Sequence, residues 1–186
     1  MRKLNTLKTI QLLAILFVVS ITFTSCNDKE DEFENEEELI TTVTYTLTNG
    51  NNVVTFVFQD LDGEGGEEGT IEVSGPLAAN TTYTGSIELL NESETPAEDI
   101  TEEVAEEDDE HEFFYTTTVA GLSIEKTDVD EDGNPVGIAT SLVTGDAGTG
   151  TITIVLKHEP TKPNNNNSAD AGGSTDVEVT FEVSVQ

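Results

Sequence analysis

Val177-Glu178-Val179-Thr180-Phe181-Glu182-Val183-Ser184-Val185 alternates apolar and polar residues without a break. A period of two puts one side of a strand in a core and the other in water, whereas a helix needs a period near 3.6. The same alternation recurs upstream. Ile152, Ile154 and Leu156 form one run, preceded by Val136, Ile138 and Leu142, by Leu122 and Ile124, and by Phe113 and Tyr115. Earlier still come Tyr83, Ile87 and Leu89, then Ile71 and Val73. Val54, Phe56 and Phe58 are separated from Val43, Tyr45 and Leu47 by the turn signal Asn49-Gly50-Asn51-Asn52. Short runs with threonine on their outer faces predict an all-β protein, a single antiparallel β-sandwich of about eight or nine strands over 39–186.

Two stretches break the alternation. Asp99-Ile100-Thr101-Glu102 has the form of a capping box, so a short acidic helical insertion is expected with Ile100 and Val104 facing the sandwich. Asp108, Asp109 and Glu110 would then crowd the negative end of the helix dipole and stop it. Residues 160–175, with Asn164-Asn165-Asn166-Asn167 and Gly172-Gly173, predict a long flexible loop before the last strand. Leu77-Ala78-Ala79-Asn80-Thr81-Thr82-Tyr83-Thr84 resembles the turn entering a late strand of fibronectin type III modules. There a tyrosine packs inward while its hydroxyl bonds back to upstream backbone, which would make the sandwich immunoglobulin-like.

The beginning of the chain reads as an address. Arg2, Lys3 and Lys8 precede a 14-residue apolar stretch from Ile10 to Phe23. That is shorter than the roughly 20 residues a spanning helix needs, so 1–25 reads as a signal peptide. It ends in Phe23-Thr24-Ser25-Cys26, which resembles a bacterial lipoprotein box whose cysteine is lipidated and becomes the mature N-terminus. Several acyl chains on Cys26 would anchor firmly, at about 0.8 kcal/mol per buried CH₂. Lys29-Glu30-Asp31 resembles the export signal of Bacteroidota surface lipoproteins. Residues 26–38, lipidated cysteine followed by acids, are too charged to collapse and read as a disordered tether. The implied location is the outer membrane, lipid-anchored and exposed at the cell surface.

Charge narrows the partners. The chain of 186 residues carries 38 acids against 7 Lys and Arg, a net charge of −31. With no basic patch, phosphate cannot be bound electrostatically, so nucleic acid is excluded as a partner. One cysteine excludes an internal disulfide framework and a zinc knuckle.

A wider resemblance runs through Gln59-Asp60-Leu61-Asp62-Gly63, Leu89-Leu90-Asn91-Glu92-Ser93, His111-Glu112-Phe113-Phe114, Asp132-Gly133-Asn134-Pro135-Val136-Gly137 and Lys157-His158-Glu159-Pro160. These are similar to a family of small flavobacterial lipoproteins often labelled type 1 periplasmic-binding-fold proteins. The label implies sugar or amino-acid capture between two α/β lobes. This chain has neither alternating helix and strand units nor a second lobe, so the resemblance is to the family and not to the fold in its label.

No catalytic motif stands out: there is no Gly-x-Ser-x-Gly elbow, no His-Glu-x-x-His and no phosphate-cradling glycine loop, and Cys26 is consumed by lipid. The chain is therefore expected not to be an enzyme and to require no cofactor. Asp128, Asp130, Asp132 and Asn134 have the spacing of a calcium loop with glycine at position six, but Ala139 stands where a bidentate Glu belongs. A plain hairpin turn and a weak Ca²⁺ site both fit, and Asp60-Leu61-Asp62-Gly63-Glu64 is a weaker second loop. His111 and His158, with Glu110 and Glu112, could instead hold Zn²⁺, Cu²⁺ or Fe if the fold brings them together; otherwise they are two surface histidines. The expected function is a non-enzymatic binding or display module with a protein or cation partner. The alternative is a lipoprotein that gathers divalent cations for a TonB-dependent receptor, using the acidic segment 102–112 with His111.

Overall fold

The computed structural model describes residues 39–62 and 69–186. The signal peptide, Cys26, the export motif Lys29, Glu30 and Asp31, and the acidic tether lie outside the described residues, as do Gly63 and Glu64. Among the described residues ten strands form two antiparallel sheets. The larger sheet holds β1 (Thr42–Asn49), β2 (Asn52–Gln59), β3 (Thr70–Val73), β4 (Thr82–Asn91), β5 (Glu98–Asp99), β7 (Ser123–Lys126) and β8 (Ala139–Val143). Its order is β3-β2-β1-β4-β8-β7, with β5 paired to the end of β4. The smaller sheet is β10-β9-β6, made of β6 (His111–Thr117), β9 (Gly148–His158) and β10 (Ser174–Val185).

The inward residues of the alternating runs meet between the sheets. Tyr45, Leu47, Phe56, Tyr83, Leu89 and Leu142 of the larger sheet are almost fully buried against Phe113, Ile152, Leu156 and Phe181 of the smaller one. Phe56 meets Phe181 edge-on at 5.6 Å, and Tyr45 meets Tyr115 at the same separation, so an aromatic column crosses the interface. Burying each such ring contributes about 1.5–3 kcal/mol. The expected tyrosine device is present: the Tyr83 hydroxyl accepts a hydrogen bond from the Ala78 amide at 2.8 Å.

Helix α1 (Ile100–Glu106) starts where the capping box places it. The Asp99 carboxylate accepts from the Thr101 amide, and Ile100 and Val104 are buried. The Thr101 hydroxyl in turn accepts from the Leu89 amide at 2.9 Å, fastening α1 to β4.

Three details differ from the sequence expectation. The strands number ten and not eight or nine, because the two-residue β5 is too short to show a period. Val136 and Ile138 do not begin a strand; their carbonyls accept from Phe113 in the smaller sheet and Ile87 in the larger, so this segment crosses between sheets before β8. The stretch read as a loop holds a second short helix, α2 (Ser168–Ala171), whose Ala171 packs on Phe114 and Val155 at the outer face of the smaller sheet.

Candidate metal centre

His111 opens β6 and His158 closes β9, and the ladder sets them directly opposite each other. Paired residues across two strands share a face, so the imidazoles stack, with centroids 4.7 Å apart and planes 23° from parallel. On the other side of His158 lies the start of β10, where Ser174 is its register partner. There the ladder slips: Thr175 pairs with Lys157 and Val177 with Leu156, so Asp176 is an extra residue in a bulge. Strict alternation would place Asp176 on the outer face beside Glu178. The bulge turns it inward, and its side chain is 1% exposed, with Oδ2 4.0 Å from His111 Nε2. Ligand atoms of His111, His158 and Asp176 all lie within 4.8 Å of one another.

A second group shares His158 and lies nearer to solvent. Glu110 Oε2 is 3.7 Å from His158 Nε2, and Glu159 brings its carboxylate to the same place. Glu159 adopts a left-handed backbone (φ +51°), and its amide donates to the Glu110 carbonyl, closing β9 onto the start of β6. The chain returns over this corner through Gly173, where a Cβ would lie 2.0 Å from the His158 carbonyl. Only glycine fits there.

The chemistry of His111 follows from its neighbours. Its Nδ1 lies 3.1 Å from the carbonyl of Glu107, the residue capping the C-terminus of α1. A carbonyl can only accept, so Nδ1 carries the proton and Nε2 presents a lone pair on the side of Asp176. Burial lowers the His111 pKa; the Glu107 carbonyl opposes this, the neighbouring His158 adds to it, and the Asp176 and Glu107 charges oppose it. The net direction is down, so the ring is neutral at neutral pH, the form that ligates a metal.

Of the residues singled out in the sequence, His111, His158 and Glu110 come together and Glu112 does not. Glu112 is the strand neighbour of His111 and points to the opposite face. There its carboxylate meets Lys126 Nζ at 2.5 Å and accepts from Asn164 Nδ2 at 2.6 Å. Glu159, the carboxylate flanking His158 in the sequence, joins His158 and Glu110, whereas nothing in the sequence singles out Asp176.

The Asp128–Asn134 hairpin uses its carboxylates as turn staples. Asp128 accepts from the amides of Gly137, Ile138 and Ala139. Asp130 accepts from the amides of Asp132 and Asn134, from the Asn134 side chain and from Lys162. Burial would raise the Asp130 pKa, but the bonds from Asn134 and Lys162 outweigh it and the net shift is downward. A calcium ion here would have to displace these donors. Asp132 instead borders a cleft of about 440 Å³ with Glu131 and with Glu106, Asp108 and Asp109 of the acidic segment, so the two acidic stretches face each other.

These side chains all come from the ends of β6, β9 and β10, at one corner of the smaller sheet. The three inner donors can hold a single cation, and the outer carboxylates can attract one. Comparison with protein-family models, with curated proteins and with solved structures finds no match to this chain.

Proposed function

We propose that this chain is a lipid-anchored outer-membrane lipoprotein, displayed at the cell surface, that captures a divalent cation at the corner formed by β6, β9 and β10. It acts as a binding module and not as an enzyme, and it delivers the ion to an outer-membrane uptake system of the TonB-dependent class. The convergence of His111, His158 and Asp176 in a buried, bulge-built corner carries this reading. Two further features support it. The full chain's net charge of −31, more negative still once Arg2, Lys3 and Lys8 leave with the signal peptide, concentrates cations around the molecule, and the carboxylates of Glu110 and Glu159 lie on the solvent side of His158. The lipoprotein box at Cys26 supplies the anchor.

The test is direct. The mature lipoprotein, extracted in detergent, stripped with chelator and dialysed against a mixture of divalent ions, should retain one ion per chain by elemental mass spectrometry. His158→Ala should retain none. A wild-type protein that emerges metal-free would overturn cation capture.

A further inference from the structure

We propose that the captured ion is a borderline divalent of the Zn²⁺ and Cu²⁺ class, held by His111, His158 and Asp176, and that Glu110 and Glu159 form an outer station through which it arrives. This rests on the cation-capture reading and narrows it to an ion class and a route.

The donor set decides the class. Ca²⁺ takes six to eight oxygen ligands and Mg²⁺ needs an octahedron of oxygens, whereas the inner corner offers two imidazoles and one carboxylate. Imidazole suits Zn²⁺ and Cu²⁺, and a histidine-rich trio leaves a position open for water or for transfer to another protein. His111 is already set up as ligating histidines are, with one ring nitrogen tied to a backbone carbonyl and the other directed at the site. In a tetrahedral zinc site the donors stand about 3.3 Å apart. The 4.0 Å between His111 Nε2 and Asp176 Oδ2 closes with a shift of under an ångström, whereas the two imidazoles, stacked 23° from parallel, require one ring to rotate so that both lone pairs meet at the ion.

Exposure gives the route. The Glu110 side chain is 52% exposed, His158 14%, and Asp176 and His111 1% and 0%. His158 belongs to both groups. Its Nε2 lies 3.7 Å from Glu110 Oε2, while its Nδ1 is buried with no hydrogen-bond partner among the described residues. An ion met first by the Glu110 and Glu159 carboxylates has one imidazole to follow inward.

The experiment uses the mature, detergent-extracted lipoprotein and measures Zn²⁺ affinity by competition with a chromogenic chelator, with the visible spectrum of added Co²⁺ as a report on geometry. Wild type should bind Zn²⁺ and give the intense Co²⁺ bands of a tetrahedral site. Asp176→Asn, which keeps the side-chain shape, should weaken Zn²⁺ by more than about 100-fold, beyond the 10–100-fold typical of losing an outer hydrogen-bonding group. If it fails to fold, His111→Gln, at a ring that belongs to the inner group alone, serves the same purpose. The Glu110→Gln, Glu159→Gln double variant should slow Zn²⁺ uptake in stopped flow while shifting the equilibrium affinity far less than Asp176→Asn. Zn²⁺ binding that ignores Asp176→Asn but disappears in the double variant overturns the inner site. Millimolar Ca²⁺ bound at the same histidines in preference to Zn²⁺ overturns the ion class and leaves capture standing. Binding of no ion overturns both.

Discussion

Glu112 and Lys126 bury their charges against each other, Nζ to Oε1 at 2.5 Å, with side chains only 3% and 7% exposed. The ammonium also lies 4.5 Å over the Phe114 ring, and Asn164 caps the second carboxylate oxygen. Breaking a buried pair from one side strands the other charge, at about 3–5 kcal/mol. Lys126→Met should therefore lower unfolding free energy by that amount in denaturant titrations, and adding Glu112→Gln should recover most of it. A single-variant loss under about 1 kcal/mol would mean the pair is solvated.

Gly85 lies in the middle of β4, where a Cβ would stand 2.2 Å from Thr140 Oγ1 and 2.7 Å from the Tyr45 hydroxyl. Those two hydroxyls bond each other at 2.7 Å inside the core. Gly85→Ala should separate them and destabilise the fold by about 1–3 kcal/mol, as overpacked cores do. Thermal melts of Gly85→Ala against Gly85→Ala with Thr140→Ser and with Thr140→Ala should show relief only in the last.

Alkaline pH should unfold the sandwich through the same tyrosine. Burial pushes the Tyr45 pKa up from 10.0 to about 12, against a smaller opposing effect of its bond to Thr140. A group whose folded pKa exceeds its unfolded pKa contributes stability that is complete below the unfolded value and lost as pH rises through the folded one. Stability should thus fall between pH 10 and about 12, by about 1.4 kcal/mol per pH unit for this group. Tyr45→Phe should make that part of the pH–stability curve less steep, the remainder belonging to Tyr115, whose pKa burial also raises, and tyrosinate absorbance should rise together with unfolding.

Asp128 holds three consecutive amides, those of Gly137, Ile138 and Ala139. Asp128→Ala should cost about 1–3 kcal/mol for stranded donors, with the same loss in millimolar Ca²⁺ and in NaCl of matched ionic strength. A loss that appears only with Ca²⁺ present would revive the calcium reading of this hairpin.

Cys26→Ser should release the protein from membranes, because acyl chains on that single cysteine are the proposed anchor. Fractionation with an alkaline wash checks it, and retention at wild-type level would remove the lipoprotein assignment.

The sandwich was legible because apolar residues repeat at every second position in short runs between Val43 and Val185, and because Leu77 and Tyr83 have the spacing of a corner. Even the exclusion of Glu112 from the histidine corner follows from alternation, since it must face away from His111. The meeting of His111 with His158 was not legible, because it depends on the register of two strands distant in sequence. Asp176 was hidden more deeply. The pattern assigns it to the wet face, and no residue in Ser174-Thr175-Asp176-Val177 announces a bulge.

That bulge makes the proposed third donor a residue surplus to the ladder. Excising Asp176 would leave Thr175 opposite Lys157 and Val177 opposite Leu156, an unbroken ladder with the same valines facing inward. The corner would lose its carboxylate while Phe181, Val183 and Val185 kept their places. Loss of a single codon would therefore remove the proposed third donor without any repacking of the core.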